Sequence, residues 1–371
     1  MPGRVYLDHA STTPLRTSAR AALEEFLHTE CLGDPSRFHS EAARARHLLE
    51  EARERIAHCL GARPREVILT SGATESIAST CFGASIRGPH SVLSSAEHAA
   101  VRQWAERGPT TTVGIDRYGV ADPAELLSAA TSETGIIHLQ WINHEVGAVQ
   151  PVEALAALCA ERGLIVHVDG AQAGGHIAID FAQLGATALS LSGHKLGGPQ
   201  GTGLLLIKRG KRLDPLLLGG DQERARRGGM ENLMGALGLA AAIEEASTGL
   251  NEEIERQRAL TDQIRAWAEE TPGVALLGSQ REAAAHLVCI GFEEIEPQPL
   301  VIGLDAAGIA VHSGSSCSSE ALEPSPVLAA MGVDAHRSMR ISVGWSSTQA
   351  DIDRMLLELP AQLDRLRALR R

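Results

Sequence analysis

The chain has 371 residues, of which 44% are hydrophobic, and a formal net charge of −12 at pH 7. At roughly 150 residues per domain this length indicates about two domains. The negative charge argues against a broad nucleic-acid-binding surface, so we expect no direct binding to nucleic acids. No apolar run approaches the ~18 residues of a transmembrane helix, and the N-terminus lacks the pattern of a signal peptide. We therefore expect a cytoplasmic protein that does not bind membranes.

The cysteine spacing argues against a metal or redox motif. None of the six cysteines lies in a CxxC pair, so neither a zinc ribbon nor a thioredoxin-type motif is predicted. In a reducing cytoplasm these cysteines are expected to be free thiols.

Short apolar runs alternate with helical patterns from about residue 66 to residue 209. The runs are rich in Val, Ile and Leu, as buried strands are, and they are Val67–Thr70, Ser91–Ser94, Ile136–Ile142, Leu164–Asp169, Ala188–Ser192 and Gly203–Ile207. A helix is predicted over Val152–Arg162, after Pro151. This alternation predicts an α/β domain with a large, mostly parallel sheet, whose ligands bind at the carboxyl ends of the strands.

The remainder of the chain predicts a smaller α+β C-terminal domain. We place the boundary after residue 248, which gives a large domain over 1–248 and a small domain over 249–371, with residues near the N-terminus also able to pack on the small one. The small domain is predicted to contain the helices Asn251–Glu270 and Thr348–Leu369 and the strands Val274–Leu277 and His286–Phe292. Before the boundary, Met230–Ala246 is predicted as a helix. The segment Ser313–Ser319 is predicted to be a flexible loop.

Lysine-dependent chemistry has only three candidates, Lys195, Lys208 and Lys211. Lys195 follows an apolar strand in the sequence SGHK and precedes two glycines. An amine desolvated in a cleft at that place has a lowered pKa and can form a Schiff base. The alternative, an exposed loop lysine, suits Lys208 and Lys211 better, because both lie in a charged KRGKR turn.

Two further segments suit a cofactor with a pyridine ring and a phosphate. Asp169 ends an apolar run, where a carboxylate can keep the ring nitrogen of pyridoxal 5'-phosphate (PLP) protonated. A helix cap is the alternative, but together with Lys195 we favour the cofactor. Thr70–Glu75 opens a helix, whose amides and Thr74 hydroxyl can bind a phosphate. It matches neither a Walker loop nor a GxGxxG fingerprint, and an ordinary helix start is its alternative.

The order of these motifs over nearly the whole chain resembles the NifS/IscS-type cysteine desulfurases, which are PLP enzymes with the aspartate-aminotransferase fold. The most specific pair is SGHK at Ser192–Lys195 with SGSSCSS around Cys317. The other matching segments are Tyr6-Leu7-Asp8, Thr12-Thr13-Pro14, SGATES at Ser71–Ser76, Glu97-His98, Glu145 and Gly147 of NHEVG, Asp169 with Gln172, LEPS at Leu322–Ser325 and MRISVG at Met339–Gly344.

The resemblance implies which residues would bind the cofactor. Lys195 would form the Schiff base, Asp169 would pair with the pyridine nitrogen, Gln172 would approach the ring hydroxyl, and His98 would stack on the ring as a catalytic residue. The phosphate would be held by Ala73, Thr74, Ser192 and His194. Without the resemblance, a histidine at a surface helix start would be the simpler interpretation of His98.

The resemblance also implies the reaction. Arg340 would clamp the carboxylate of L-cysteine with its planar guanidinium, although a strand ion pair is the simpler interpretation of that residue alone. The Cys317 thiolate would attack the substrate sulfur, alanine would leave, and Cys317 would carry a persulfide. The expected partners are a sulfur-acceptor protein, in iron–sulfur assembly, tRNA thiolation or DNA phosphorothioation, and a second copy of the chain in a homodimer.

Three positions depart from the pattern of this family. His144 stands where an asparagine usually contacts the cofactor, so either His144 or its neighbour Asn143 could take that role. Met230 replaces a threonine that usually reaches the phosphate of the neighbouring subunit, so PLP is predicted to be held more weakly. Asp34 replaces an asparagine in GDPS.

Two other readings of the chain stay open. One is a selenocysteine lyase or the other desulfurase class, which has a different sequence, RxGxHC, around its cysteine. The second is a non-catalytic scaffold with the same fold, against which the intact Lys195, Asp169 and Cys317 argue.

Overall fold

The computed structural model of the protein describes residues 3–29, 33–279, 283–313 and 325–369. Its strands are β1 Val5–Tyr6, β2 Val67–Thr70, β3 His90–Ser94, β4 Thr110–Val113, β5 Thr134–Gln140, β6 Val166–Asp169, β7 Ala188–Ser192, β8 Gly203–Ile207, β9 Val274–Leu277, β10 Leu287–Phe292, β11 Ile309–Ala310, β12 His312–Ser313 and β13 Ser338–Ser342. Its principal helices are Thr17–His28, Ser40–Cys59, Ala73–Ser85, Ala99–Ala105, Pro123–Ser128, Val152–Ala160, Phe181–Leu184, Leu233–Thr248, Leu250–Glu270, Pro297–Ala306, Pro326–Ala330 and Gln349–Leu369.

The described residues form one large sheet of seven strands in the order β2-β8-β7-β6-β5-β3-β4. Neighbouring strands from β7 through to β4 run parallel, and only β8 runs antiparallel to both of its neighbours. The predicted mostly parallel sheet is therefore confirmed. Because β5, β6 and β7 run the same way, their last residues, Gln140, Asp169 and Ser192, reach the same edge of the sheet.

Several predicted elements begin or end at other residues in the structure, and two of these differences have a clear physical cause. The strand predicted to reach Ile142 ends at Gln140, because Ile142 instead bridges to Val149 and closes a loop over residues 143–148. The helix predicted from Met230 begins at Leu233, because the side chain of Asn232 accepts a hydrogen bond from the Gly235 amide and caps it.

A second sheet, β12-β13-β10-β9, is antiparallel and has its own apolar core with helices Leu250–Glu270, Pro297–Ala306 and Gln349–Leu369. The N-terminal strand β1 pairs in parallel with β11, and Asp8 bridges to Ser342. The first residues of the chain therefore pack beside the last sheet. The boundary after residue 248 remains a prediction.

Within the described ranges, no helix combines the length and the hydropathy that crossing a membrane requires.

A buried ion pair fastens a strained turn to the edge of the large sheet. Glu223, Arg224 and Ala225 all have positive φ angles without being glycine, a conformation that costs free energy at each residue. Glu223 accepts two hydrogen bonds from Arg53, at 2.8 and 2.9 Å, and a third from the Leu69 amide of β2 at 3.1 Å. These three bonds compensate the burial of the Arg53 and Glu223 side chains, which are 2% and 1% exposed.

We expect Glu223→Gln to lower the free energy of unfolding by about 3–5 kcal/mol, because it leaves the Arg53 guanidinium buried without its counter-charge. The measurement is urea unfolding at pH 7. Glu244→Gln is the matched control, since Glu244 pairs with Arg55 at a half-exposed site, where such pairs contribute about 0–1 kcal/mol. Equal effects of the two substitutions would show that the buried pair does not hold the turn.

Candidate active site

A cavity of about 450 Å³ opens at the carboxyl ends of β5, β6 and β7. Its lining combines hydroxyls, imidazoles, two carboxylates, an amine and a guanidinium, from Ala10, Ser11, Ser71, Gly72, Ala73, Thr74, Glu75, Ile77, His98, Gln140, His144, Asp169, Ala171, Ser192, His194, Lys195 and Arg340. The parallel sheet places this cavity where ligands bind in α/β folds.

One end of the cavity is suited to a phosphate. Helix Ala73–Ser85 begins there, and its first amides and the Thr74 side chain lie at the wall, where a helix N-terminus favours an anion. A Cβ atom on Gly72 would meet no atom within 4 Å, whereas one on Gly203 would lie 2.4 Å from the Gly72 Cα atom. Glycine at 203 thus lets β8 pass directly behind the loop while the space in front of Gly72 stays open.

Ser192 and His194 complete that end of the cavity. Ser192 is the last residue of β7, and His194 lies in the short 3-10 turn Gly193–Lys195 that follows. The Nδ1 atom of His194 lies 3.1 Å from the Thr12 hydroxyl, which holds the ring in place. The same turn carries Lys195 to the cavity wall.

Asp169 lies at the end of β6 and is 2% exposed. Its Oδ1 atom accepts a hydrogen bond of 3.0 Å from the Ala171 amide. A buried carboxylate at this place suits a cationic group in the cavity.

Two histidine rings meet on one wall of the cavity. His98 caps helix Ala99–Ala105 through its Nδ1 atom, which accepts a hydrogen bond from the Ala100 amide at 3.1 Å. The proton of the neutral His98 ring is therefore on Nε2. The His98 and His144 rings pack edge to face with centroids 5.2 Å apart, and burial lowers the pKa of His98.

Arg340 lies in the middle of β13 with its guanidinium at the cavity wall. Its Nη2 atom donates to Asp8 at 2.8 Å and to the Ser11 hydroxyl at 2.6 Å, and its Nη1 atom donates to the His144 carbonyl at 2.8 Å. Its buried Nε atom has no hydrogen-bond partner among the described residues. The Asp8 contact is an ion pair between the N-terminal segment and β13.

The structure brings most of the predicted site residues to this cavity. Those on its lining are Ala73, Thr74, His98, His144, Asp169, Ser192, His194, Lys195 and Arg340. Gln172 is not on the lining, and its Nε2 atom donates to the Ala10 carbonyl at 2.7 Å. Asn143 is also off the lining and is fully buried. Cys317 lies outside the described residues. The roles of all these residues stay predictions.

Glu97 is a buried carboxyl group beside the site to which sequence reasoning gave no role. Its Oε1 atom accepts a hydrogen bond of 2.6 Å from the Gln140 amide, and its Oε2 atom has no partner within the described ranges. Burial, and then the charge of Asp169, raise the pKa of Glu97 to about 8. Glu97 is thus mostly protonated at pH 7. The only signal in the sequence was its position next to His98.

The residues of the cavity fit PLP. That cofactor carries a phosphate dianion, a ring nitrogen that takes a proton, and a carbonyl that condenses with an amine. The open space before Gly72 at a helix N-terminus, the buried Asp169 carboxylate and the Lys195 amine supply one suitable partner for each group.

Comparison with known proteins decides the family. The sequence profile of the class-V aminotransferases matches residues 5–355. The chain belongs to the class-V aminotransferase family. It is 37% identical to cysteine desulfurase IscS of Dictyoglomus turgidum, over 100% of this chain and 97% of that protein. It is 38% identical to cysteine desulfurase IscS of Methanosarcina thermophila, over 98% of this chain and 93% of that protein.

A solved structure of a NifS-like protein superimposes with a TM-score of 0.91 and 29% identity, covering 98% of this chain and all of that one. The predicted fold, the resemblance to cysteine desulfurases and the use of PLP are confirmed by these relatives. The protein is thus an enzyme of the cysteine desulfurase group within the class-V aminotransferases.

We expect Glu97→Gln to change how the stability of the cofactor-free protein depends on pH. Folded Glu97 keeps its proton up to a pKa of about 8, whereas the unfolded chain releases it near 4.5. Stability of the wild type therefore falls as the pH rises between these values, by at most about 1.4 kcal/mol for each pH unit. Glutamine cannot titrate. The free energy of unfolding of the variant should therefore rise relative to that of the wild type from pH 5 to pH 8.

The measurement is urea unfolding at both pH values, with the exposed Glu106→Gln as control. If the difference in free energy of unfolding between Glu97→Gln and wild type were the same at pH 5 and pH 8, Glu97 would be ionised in the folded protein.

Proposed function

We propose that the protein converts L-cysteine to L-alanine and leaves the sulfur as a persulfide on Cys317. The observation that supports this most is the convergence of Lys195, Asp169 and the N-terminus of helix Ala73–Ser85 on one cavity that also contains Arg340. Atoms balance with the Cys317 thiol as sole co-reactant. The S–S bond forms as the Cβ–S bond of cysteine breaks, and the carbon skeleton takes a proton and leaves as alanine.

The cavity residues would divide the binding of PLP among them. Ala73, Thr74, Ser192 and His194 would hold the phosphate, Asp169 would hold the ring nitrogen, and Lys195 would hold the carbonyl carbon. When bound, PLP supplies an electron sink for the Cα atom of an amino acid. The Lys195 amine would move the proton at Cα, and the His98 ring would stack on the cofactor.

Arg340 would bind and orient the carboxylate of the substrate. Three contacts already fix its guanidinium, with Asp8, Ser11 and the His144 carbonyl. A guanidinium held in one orientation loses less conformational entropy when it binds a carboxylate. The Asp8 carboxylate balances its charge while the cavity is empty of substrate.

The four thiols within the described ranges are unsuited to act as the nucleophile. Burial raises the pKa of Cys81 to about 12 and of Cys159 to about 11, and it raises the pKa of Cys59 and Cys289 as well. None of these four lines the cavity. Since the thiolate is the reactive form, this supports Cys317, whose glycine- and serine-rich sequence suits a thiol that receives sulfur in the cavity and then presents it to an acceptor.

We further propose a cytoplasmic homodimer that passes sulfur to an acceptor protein. Three exposed apolar side chains in this part of the sequence are compatible with such a dimer, namely Met230, Leu218 and Met234, which are 62%, 82% and 38% exposed. In the dimer, the segment around Met230 would approach the phosphate site of the partner subunit.

The first test is alanine release from L-cysteine under a mild reductant. Wild type and Cys59→Ser should both release alanine, and Cys317→Ser should release almost none while it still binds PLP. Cys59 is the matched control, since it is a half-buried free thiol away from the cavity. Alanine from Cys317→Ser at the wild-type rate would show that another group accepts the sulfur. A PLP-loaded wild type that releases no alanine would point to another substrate, such as selenocysteine, or to a required partner.

The second test concerns Met230. A threonine hydroxyl at this position can donate a hydrogen bond to a phosphate across the dimer interface, so Met230→Thr should retain PLP roughly fivefold more tightly. The measurement is PLP release followed by absorbance during dialysis. Met234→Thr controls for the loss of an exposed methionine four residues away. Equal PLP retention in wild type and Met230→Thr would contradict the placement of residue 230 at the phosphate.

A further inference from the structure

Gln140 lies at the cavity without a role in the reaction proposed above. It is the last residue of β5, is paired in register with Asp169, and is 2% exposed. Its side chain joins Asn143 on one side and His144 on the other. These contacts determine which atom of each side chain carries a hydrogen.

The orientation of the Asn143 amide is fixed by the backbone. Its Oδ1 atom accepts hydrogen bonds from the amides of Glu145 and Val146, both at 2.9 Å. A backbone N–H can only donate, so the atom it meets must be the oxygen. The Nδ2 atom of Asn143 is then the donor to the Ala96 carbonyl and to the Gln140 Oε1 atom, both at 3.2 Å.

The orientation of the Asn143 amide fixes that of the Gln140 amide, which in turn fixes the protonated nitrogen of His144. Because Gln140 Oε1 accepts from Asn143, Gln140 Nε2 is the donor to the Nδ1 atom of His144, at 3.2 Å. Nδ1 of His144 therefore carries a lone pair, and the proton of the neutral ring is on Nε2. The same His144 residue gives its carbonyl to Arg340, so its backbone is fixed as well as its ring.

His144 stays neutral over the working range of pH. Burial lowers the pKa of its ring well below the ordinary value, and neighbouring positive charges lower it further. The titratable and charged groups that act on the ring are His98, Glu145, Lys195, Arg340 and Arg102. Glu145, whose Oε1 atom lies 3.5 Å from His144 Nε2, has its own pKa raised to about 7 by burial.

We propose that Gln140 is a positioning residue that holds His144 as a fixed N–H donor, through Nε2, for an oxygen of the cofactor or substrate bound in this cavity. The inference rests on the proposed PLP site. It also decides between two neighbours, because every polar atom of the Asn143 side chain is already bonded within the protein, whereas the His144 ring lies on the cavity lining.

The direct test reads the tautomer by NMR on the full-length, PLP-loaded protein labelled with ¹⁵N-histidine. The resonances that disappear in His144→Asn identify the ring. We expect its Nδ1 to resonate as an unprotonated nitrogen and its Nε2 as a protonated one, with no change between pH 6 and pH 8. A proton on Nδ1, or titration of the ring in this range, would overturn the proposal. This result needs no activity and no altered fold.

Gln140→Glu tests the role of the donor. A carboxylate still accepts from Asn143, but when ionised it cannot donate to His144, so it should draw the ring proton to Nδ1. At a pH at which this carboxyl group is ionised, we expect the tautomer to reverse and PLP retention, or the KM for L-cysteine, to worsen roughly fivefold to tenfold. Gln140→Met, which neither donates nor accepts, should lose about as much PLP or substrate affinity without fixing the reversed tautomer.

PLP retention and the KM for L-cysteine together identify the group that accepts the hydrogen bond from His144 Nε2. Weaker PLP retention would place it on the cofactor, and a higher KM with unchanged PLP retention would place it on cysteine. A reversed tautomer in Gln140→Glu with both readouts unchanged, or unchanged readouts in Gln140→Met, would refute the positioning role. If wild type bound PLP with the expected tautomer but released no alanine, the role of Gln140 would stand, and the proposed reaction would need another substrate or a partner.

Discussion

The parallel course of β5, β6 and β7 is the constraint on which the site depends. Hydrogen bonding in register places Gln140 beside Asp169 and brings Ser192 to the same edge of the sheet. Each following segment then begins at that edge, so the turn with Lys195 and the loop with His144 both border one cavity. Two residues far apart in sequence need only the correct strand direction to become neighbours.

Burial turns these neighbours into a network with little freedom. In a low-dielectric interior a polar atom without a partner is costly, so donors and acceptors must match. The backbone amides after Asn143 set its orientation, and Asn143 sets that of Gln140. Burial, and then the charge of Asp169, raise the pKa of the Glu97 carboxyl group, which therefore keeps its proton.

The sequence alone predicted the features that depend on local patterns. Apolar runs bounded by glycine gave the strands, and residues at their ends, such as Asp169, were candidates because ligands bind there. Gln140 ends a strand too, but a glutamine has no characteristic chemistry, and its importance comes from two side-chain contacts that no spacing reveals. The start of the helix at Leu233 was missed because Asn232, two residues after the predicted start, provides the cap. Motif SGSSCSS was recognisable, while its place relative to the cavity depends on residues outside the described ranges.

The exchange of asparagine for histidine at position 144 follows from the same network. An asparagine amide offers a donor and an acceptor on one group, and its neighbours must select between two orientations. A neutral imidazole offers one of each on opposite sides of a ring, so a partner that donates to Nδ1 determines Nε2 completely. Gln140 is that partner, and Asn143 and two backbone amides determine Gln140. In the proposed network, the glutamine that ends the strand beside Asp169 is the group that gives a histidine at position 144 a defined donor atom.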